Sequence, residues 1–190
     1  MDAFAAATFE RLMDRTPERD PDPIPEQVDA FDAGPQPIDG RAYRNAMGRF
    51  ATGVTVVTCT SAHGPVGMTV NSFTSLSLDP PLVMWSPAKS SRRYEAFAAA
   101  PRFAIHVLGE EQASVADAFM RAADAFGGTR NSLAEDGLPL IEDCLARFEC
   151  IRIAAHEAGD HMIEIGRVVA MTARDGAPLL YFRGGYGAMG

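Results

Sequence analysis

The sequence predicts a mainly β fold of the α+β kind, a small closed or nearly closed barrel with peripheral helices. Three observations lead there. Runs of alternating β-branched and apolar residues outnumber helical periodicities, with about six or more strands against three helices. Neighbouring runs are joined by short turns such as Gly159-Asp160, the mark of antiparallel hairpins. No GxGxxG motif and no strand–helix alternation is present, so a doubly wound dinucleotide fold is excluded.

Each element can be justified in order. Residues 3–15 set Phe4, Phe9, Leu12 and Met13 among alanines, the spacing of a short amphipathic helix. Pro17, Pro21, Pro23, Pro25, Pro35 and Pro37 then rule out a helix or a central strand. Residues 1–38 therefore read as a proline-rich extension, and 39–190 as the folded domain. A disordered tail and an arm laid across a partner subunit both fit the extension. A helix is expected over 41–51, capped near Asp39, with Tyr43, Met47 and Phe50 on one face and Gly53 beyond its end.

Val54 to Thr60 alternates Val and Thr and reads as a strand. His63, Gly64 and Pro65 form a turn. A strand follows through residue 78, ended by Asp79, Pro80 and Pro81, and another covers 82–85. Residues 86–91 are a loop before a helix at 92–100 with Tyr94 and Phe97 inside. Residues 103–108 form a strand and 110–120 a helix, with Val115, Ala118 and Phe119 turned inward. The glycine-rich stretch 125–137 reads as a surface loop near the site. Long strands fill 144–155 and 161–173, and 178–182 is the last strand.

Bulk composition narrows the function. The chain of 190 residues can bury a core without staples, and 47% hydrophobic with 22% charged residues is ordinary for a globular domain. A formal net charge of −8 disfavours nucleic acid and anionic membrane as partners. Cys59, Cys144 and Cys150 show neither metal spacing nor a CxxC pair, and an odd count makes a poor disulfide framework. Cys59 and Cys150 lie in apolar segments and read as core residues of a protein in a reducing cytoplasm. No apolar run is long enough to span a membrane, and the N-terminus lacks the design of a secretory signal.

The chemistry centres on residues 67–81. Met68, Val70, Leu76 and Leu78 alternate with Thr69, Asn71, Ser72, Thr74, Ser75 and Ser77, and no charge appears before Asp79. Such a strand can simply face water. It can equally offer hydroxyls, an amide and backbone N–H groups to a planar polar ligand rich in acceptors.

The order of residues resembles the signature of the flavin reductase family, the short-chain partners of two-component flavin monooxygenases. The resemblance begins near Tyr43 with Arg-Asn-Ala-Met-Gly-Arg-Phe-Ala-Thr-Gly-Val-Thr-Val-Val-Thr. It continues through Lys89-Ser90-Ser91-Arg92 and Gly159-Asp160-His161, and ends with Pro-Leu-Leu-Tyr-Phe-Arg-Gly at 178–184. It implies a split β-barrel of the FMN-binding type. It also implies Val70, Asn71, Ser72, Phe73, Thr74 and Ser77 beside a flavin, with Thr69 and Ser75 as weaker candidates. Strand alternation forbids all these side chains from facing one ligand, so some must act through backbone N–H groups.

Lys89, Ser91 and Arg92 resemble the family's phosphate-binding loop, and serines before a helix also serve simply as caps. Gly159, Asp160 and His161 resemble a turn near the flavin and the nicotinamide dinucleotide, with His161 the catalytic candidate. Asp160 can also be there only to make the turn. His106 stands where the family usually has Asn, on a strand expected near the flavin. His63 and His156 read as surface residues. No metal-ligand pattern is present.

The resemblance implies an NAD(P)H-dependent flavin reductase, a cytoplasmic homodimer that supplies reduced FMN or FAD to a partner monooxygenase. Three alternatives stay open: an electron carrier with tightly held FMN, an oxidase of the same fold, and a non-catalytic ligand-binding or scaffold domain. FMN against FAD (or riboflavin) and NADH against NADPH are not distinguished by these residues.

Overall fold

The computed structural model describes residues 37–188. The helix expected over 3–15 and the prolines up to Pro35 lie outside the described residues. Contacts divide the chain into two units, Met1–Gly40 and Arg41–Gly190. The sheet and the groove described below belong to the second.

The main sheet has seven antiparallel strands. In chain order they are β2 (Thr55–Ser61), β3 (Gly64–Val70), β4 (Thr74–Leu78), β5 (Pro81–Trp85), β6 (Arg102–Val107), β9 (Ala146–Ala158) and β10 (His161–Ala173). In space they run β3-β2-β6-β9-β10-β5-β4. The two edge strands are consecutive in sequence, separated only by residues 71–73. That link reaches at most about 14 Å from Val70 to Thr74. The edges of a flat seven-stranded sheet lie roughly 29 Å apart. The sheet must therefore curl until its edges nearly meet, with no ladder between them. This is a barrel left open along one seam, and residues 71–73 bridge the split.

Smaller elements cover the barrel. Helix α1 (Gly40–Met47) precedes β1 (Thr52–Gly53), which joins β11 (Leu180–Phe182) and β12 (Gly185–Gly187) in a three-stranded sheet. Helix α2 (Tyr94–Ala99) follows β5, and α3 (Ala113–Arg121) follows β6 after a 3₁₀ turn. The pair β7 (Asn131–Leu133) and β8 (Pro139–Ile141) forms a hairpin. The stretch 125–137, expected as an irregular loop near the site, thus contains a 3₁₀ turn and β7, and it does not line the groove described below. Helix α1 ends four residues before the expected Ala51, because Gly48 begins a turn.

The core explains the sequence pattern. Trp85 is fully buried, edge-on to Phe97 at 5.0 Å and to Phe103 at 6.0 Å between ring centroids. Strand β6 buries both faces. Phe103 and Ile105 join the barrel interior, while Ala104 packs with Leu138 and Leu140 beneath the β7–β8 hairpin. Cys59 and Cys150 are buried, and burial pushes both thiols up to about 12. In α3 the buried residues are Ala116 and Phe119, with Val115 and Ala118 only half-buried. A Cβ on Gly67 would run into the Phe119 ring, so only glycine lets α3 lie this close to β3.

A buried ion pair ties the helical layer to the sheet. Arg152 Nε donates to Glu164 Oε2 at 2.6 Å, and Arg152 Nη1 donates to the Ala98 carbonyl at 2.9 Å. Glu164 is buried, so this pair fixes the last turn of α2 against β9 and β10.

Candidate active site

The split is held by one hydroxyl. Ser72 Oγ accepts from the Ser86 N–H at 3.0 Å and donates to the Ser86 carbonyl at 3.2 Å. This fastens the bridge to the end of β5, and the Ser72 hydroxyl is spent within the protein. Among the described residues no carbonyl holds the backbone N–H of Asn71, Ser72 or Phe73. Asn71 is exposed, and its side chain makes no hydrogen bond among the described residues. Phe73 packs its ring on Phe148, 5.7 Å between centroids, which anchors the bridge to β9.

This bridge forms one wall of a groove of about 1240 Å³. Asn71, Ser72, Phe73 and Thr74 line that wall. Helix α1, the segment 48–53 and the β11–β12 turn line the others. Among the described residues, Arg44, Arg49 and Arg183 are the charged side chains lining the groove, and Tyr43, Phe50, Phe73 and Tyr181 its aromatic ones. The Thr52 hydroxyl, also in the lining, is shielded from solvent and lacks a partner among the described residues. A groove with free amide donors, an unused carboxamide, aromatic walls and positive charge fits a planar, acceptor-rich, phosphorylated aromatic ligand such as a flavin nucleotide.

The other candidates divide. Val70 and Thr69 lie at the end of β3. The Val70 carbonyl accepts from Thr55 Oγ1 at 2.9 Å, and Thr69 Oγ1 donates to the Ala116 carbonyl at 2.6 Å. Both are engaged in structure. Ser75 and Ser77 flank a register shift in β4 and do not line the groove.

Lys89, Ser91, Arg92, Gly159, Asp160 and His161 gather in a second cluster that does not line the groove. The Lys89 N–H donates to the Asp160 carbonyl at 2.9 Å, and Ala88 bridges to His161. Lys89 Nζ sits 3.4 Å from Glu157. Ser91 Oγ accepts from the Arg93 N–H at 3.2 Å, which makes a serine turn ahead of α2, whose own N-cap residue, Arg93, makes no side-chain cap. Arg93 turns away and donates to the Phe119 carbonyl at 2.6 Å and the Met120 carbonyl at 3.1 Å. Arg92 is exposed and has no partner among the described residues. The two groups share a link, because Ser86, held by Ser72, begins the segment that reaches Lys89.

The hairpin tip has a defined chemistry. Gly159 takes φ +64, which suits a residue without Cβ. His161 Nδ1 lies 2.8 Å from Asp160 Oδ1 and donates to it, leaving Nε2 without a partner among the described residues. That bond holds the Asp160 carboxyl below its ordinary value.

His106 is not at the groove. It is fully buried on the face of β6 that meets β8. Its Nε2 accepts from the Ile141 N–H at 3.0 Å, so Nδ1 carries the proton and donates to the Val56 carbonyl at 3.0 Å. Burial pushes its pKa down to about 4. These bonds make His106 part of a seam that joins β2, β6 and the β7–β8 hairpin.

Sequence reasoning did not assign Arg49, Thr52, Thr55, Tyr181 and Arg183 to a site. All lie in segments that carry the family resemblance, which was the available signal.

An open-seamed antiparallel barrel with this groove defines a nucleotide-cofactor binding protein of the split-barrel class. The chain belongs to the flavin reductase family: the family's flavin reductase like domain matches residues 47–190. It is 54% identical over 149 residues to the FMN reductase (NADH) SmoA of Agrobacterium fabrum, covering 78% of this chain and 86% of that one. It is 40% identical over 153 residues to HsaB of Mycobacterium tuberculosis, the reductase subunit of a flavin-dependent monooxygenase, covering 78% and 82%. Among solved structures, the NADH:FAD oxidoreductase SgcE6 of Streptomyces globisporus C-1027, in complex with NAD and FAD fragments, superposes with TM-score 0.76. The two are 36% identical, with 82% of this chain and 98% of that one covered. The relatives are oxidoreductases.

Proposed function

We propose that this chain is a flavin reductase that uses NADH or NADPH to reduce FMN or FAD and supplies the reduced flavin to a partner monooxygenase. The observation that carries the reading is the bridge across the split, where free N–H groups and the Asn71 amide meet a groove in a chain of this family. A bound flavin supplies a ring that takes hydride from a nicotinamide without help from a strong acid or base. The protein's task is then to bind, orient and stabilise charge.

In this reading the amides of Asn71, Ser72 and Phe73 and the Asn71 carboxamide donate to the acceptor edge of the ring. Thr74 lines the same wall. Val70 and Ser77 support the bridge rather than touch the ligand. Lys89 and Arg92 give the flavin phosphate its positive partners, with Ser91 holding their loop. Gly159 and Asp160 shape the hairpin tip so that His161 Nε2 meets the nicotinamide side.

A homodimer belongs to the same reading. Leu78 on the edge strand β4 is 88% exposed and Met171 on β10 is 69% exposed, with Ile153 on β9 and Val169 on β10 also uncovered. Apolar surface of this kind marks an interface, and a second copy would cover it symmetrically.

The test is NADH and NADPH oxidation with added FMN, FAD or riboflavin, on protein whose mass is measured by sedimentation. Flavin-dependent oxidation by a dimer is expected. No oxidation with any pairing would remove the reading.

A further inference from the structure

We propose that Arg93 is a positioning residue for the flavin phosphate: it fixes the half of the loop that carries Arg92 onto the end of α3, the helix that also mounts the bridge at 71–73. The inference rests on reading Lys89 and Arg92 as the phosphate partners, and it names what holds Arg92 in place.

The anchor is the end of a helix. An α-helix leaves its last four carbonyls without partners inside the helix. In α3 the Ala122 N–H closes on the Ala118 carbonyl at 2.9 Å. Arg93 takes the next two carbonyls, Phe119 through Nη1 at 2.6 Å and Met120 through Nη2 at 3.1 Å. A cation there also meets the negative end of the helix dipole. The planar fork spans two acceptors, so it sets direction as well as distance.

The loop before α2 has two halves, held differently. Backbone laces residues 87–89 to the hairpin tip. The Lys89 N–H donates to the Asp160 carbonyl at 2.9 Å, and the Met162 N–H to the Pro87 carbonyl at 3.0 Å. Residues 90–93 make no backbone hydrogen bond beyond the loop and α2 among the described residues. Their side chains reach another element through the two bonds of Arg93 and a long contact from Ser91 Oγ to Met68 Sδ at 3.9 Å. Arg92 lies in this second half, exposed and with no hydrogen bond or ion pair among the described residues. Where it starts from is set by its neighbour. Burial, and after it the charge of Arg92, lower the Arg93 pKa, so the two guanidiniums stand in each other's field. Fixing one on α3 leaves the other turned to solvent.

Helix α3 is in turn tied to the strand that enters the bridge. Thr69 Oγ1 donates to the Ala116 carbonyl at 2.6 Å, and the Gly67 N–H to the Ala123 carbonyl at 2.8 Å. The Phe119 ring packs where a Cβ on Gly67 would stand. One helix thus mounts the ring wall through β3 and the Arg92 half of the loop through Arg93. A flavin with a phosphate meets both and gains from their fixed spacing; a flavin without one does not.

The experiment titrates FMN and riboflavin into the full chain, wild type and four variants: Arg93→Gln, Arg93→Lys, Arg92→Gln and the double variant Arg92→Gln, Arg93→Gln. Melting temperature is recorded for each. Expected in Arg93→Gln is FMN affinity at least tenfold weaker with riboflavin affinity unchanged. Arg93→Lys keeps the charge but not the planar fork, and its FMN loss should be about threefold. Because Arg93 acts through Arg92, adding Arg93→Gln to Arg92→Gln should cost less than about threefold more.

Equal losses for FMN and riboflavin overturn the proposal. So does FMN affinity unchanged in every Arg93 variant that folds, whatever the melting temperature does, since Arg93 would then be structural only. Fully additive losses in the double variant overturn it as well, because Arg93 would then touch the phosphate itself. Lys89→Ala with Arg92→Ala is run alongside. If that pair leaves FMN affinity unchanged, the phosphate reading fails and the proposal falls with it. If the pair weakens FMN and Arg93→Gln does not, the proposal falls alone.

Discussion

His106 and His161 lie on strands of one sheet and do opposite things. His106 is sealed in the seam between β6 and β8, with both ring nitrogens bonded to backbone groups. His161 stands at a hairpin tip with one nitrogen on Asp160 and the other free. A histidine with both nitrogens spent has nothing left to offer a ligand, and its energy goes into holding strands together. One with a fixed tautomer and an open nitrogen can meet a substrate at little cost to the fold. The difference lies in how each strand end is covered, not in the residue.

Three substitutions or conditions sharpen that contrast, and the largest effect belongs to the seam. His106→Ala leaves the Val56 carbonyl and the Ile141 N–H unpaired in a dry interior. Each orphaned group costs about 1–3 kcal/mol, and the cavity adds to it, so a loss of about 4 kcal/mol is expected in urea unfolding. A loss below about 1 kcal/mol would break the comparison, since surface changes alone reach that level.

Acid should act on the same residue. The folded pKa of His106, about 4, lies below its ordinary 6.5, so the unfolded chain takes the proton first. The His106 contribution is intact above about pH 6.5, falls as pH drops toward 4, and levels off below. Its total is about 3 kcal/mol. In His106→Asn that slope between pH 6.5 and 4 should be missing from the stability profile. An unchanged slope would assign the acid limb to carboxylates.

The smallest structural effect belongs to His161→Ala. Stability should stay within about 0.5 kcal/mol of wild type, and flavin affinity should hold. Flavin reduction by NADH should slow about tenfold, the value of one net hydrogen bond in the activated complex. Stopped-flow traces identical to wild type would make the two histidines alike in having no part in the chemistry.

Much of the barrel was legible in the residues because its strands are long or β-branched. Val54 to Thr60 and the pair 144–155 and 161–173 announced themselves by alternation and by the Gly159-Asp160 turn between them. Strands β7, β8 and β12 have three residues each, too few for any period to show. The role of His106 was not legible for a different reason. Alternation puts a residue on one of two faces, and β6 buries both, one in the barrel and one under the β7–β8 hairpin. The groove was half legible. Residues 71–74 are adjacent in sequence and three of the four are polar, whereas Arg44, Arg49 and Arg183 meet only because a turn docks on Gly48, a contact more than 130 residues apart in sequence.

The split has one more consequence. A sheet that stays open exposes two edges, and a bare edge is a template on which another chain can add a strand and start a fibre. Charged residues are the common protection, yet none occurs from Gly64 through Leu78. The edges are blunted by other means. On β3, Pro65 has no N–H to offer, and the Gly67 N–H is already taken by the Ala123 carbonyl at 2.8 Å, beyond α3. On β4, the register shift between Ser75 and Ser77 bends a strand of only five residues out of line. The seam can therefore stay open to a small ligand at high protein concentration while refusing the backbone of a neighbour.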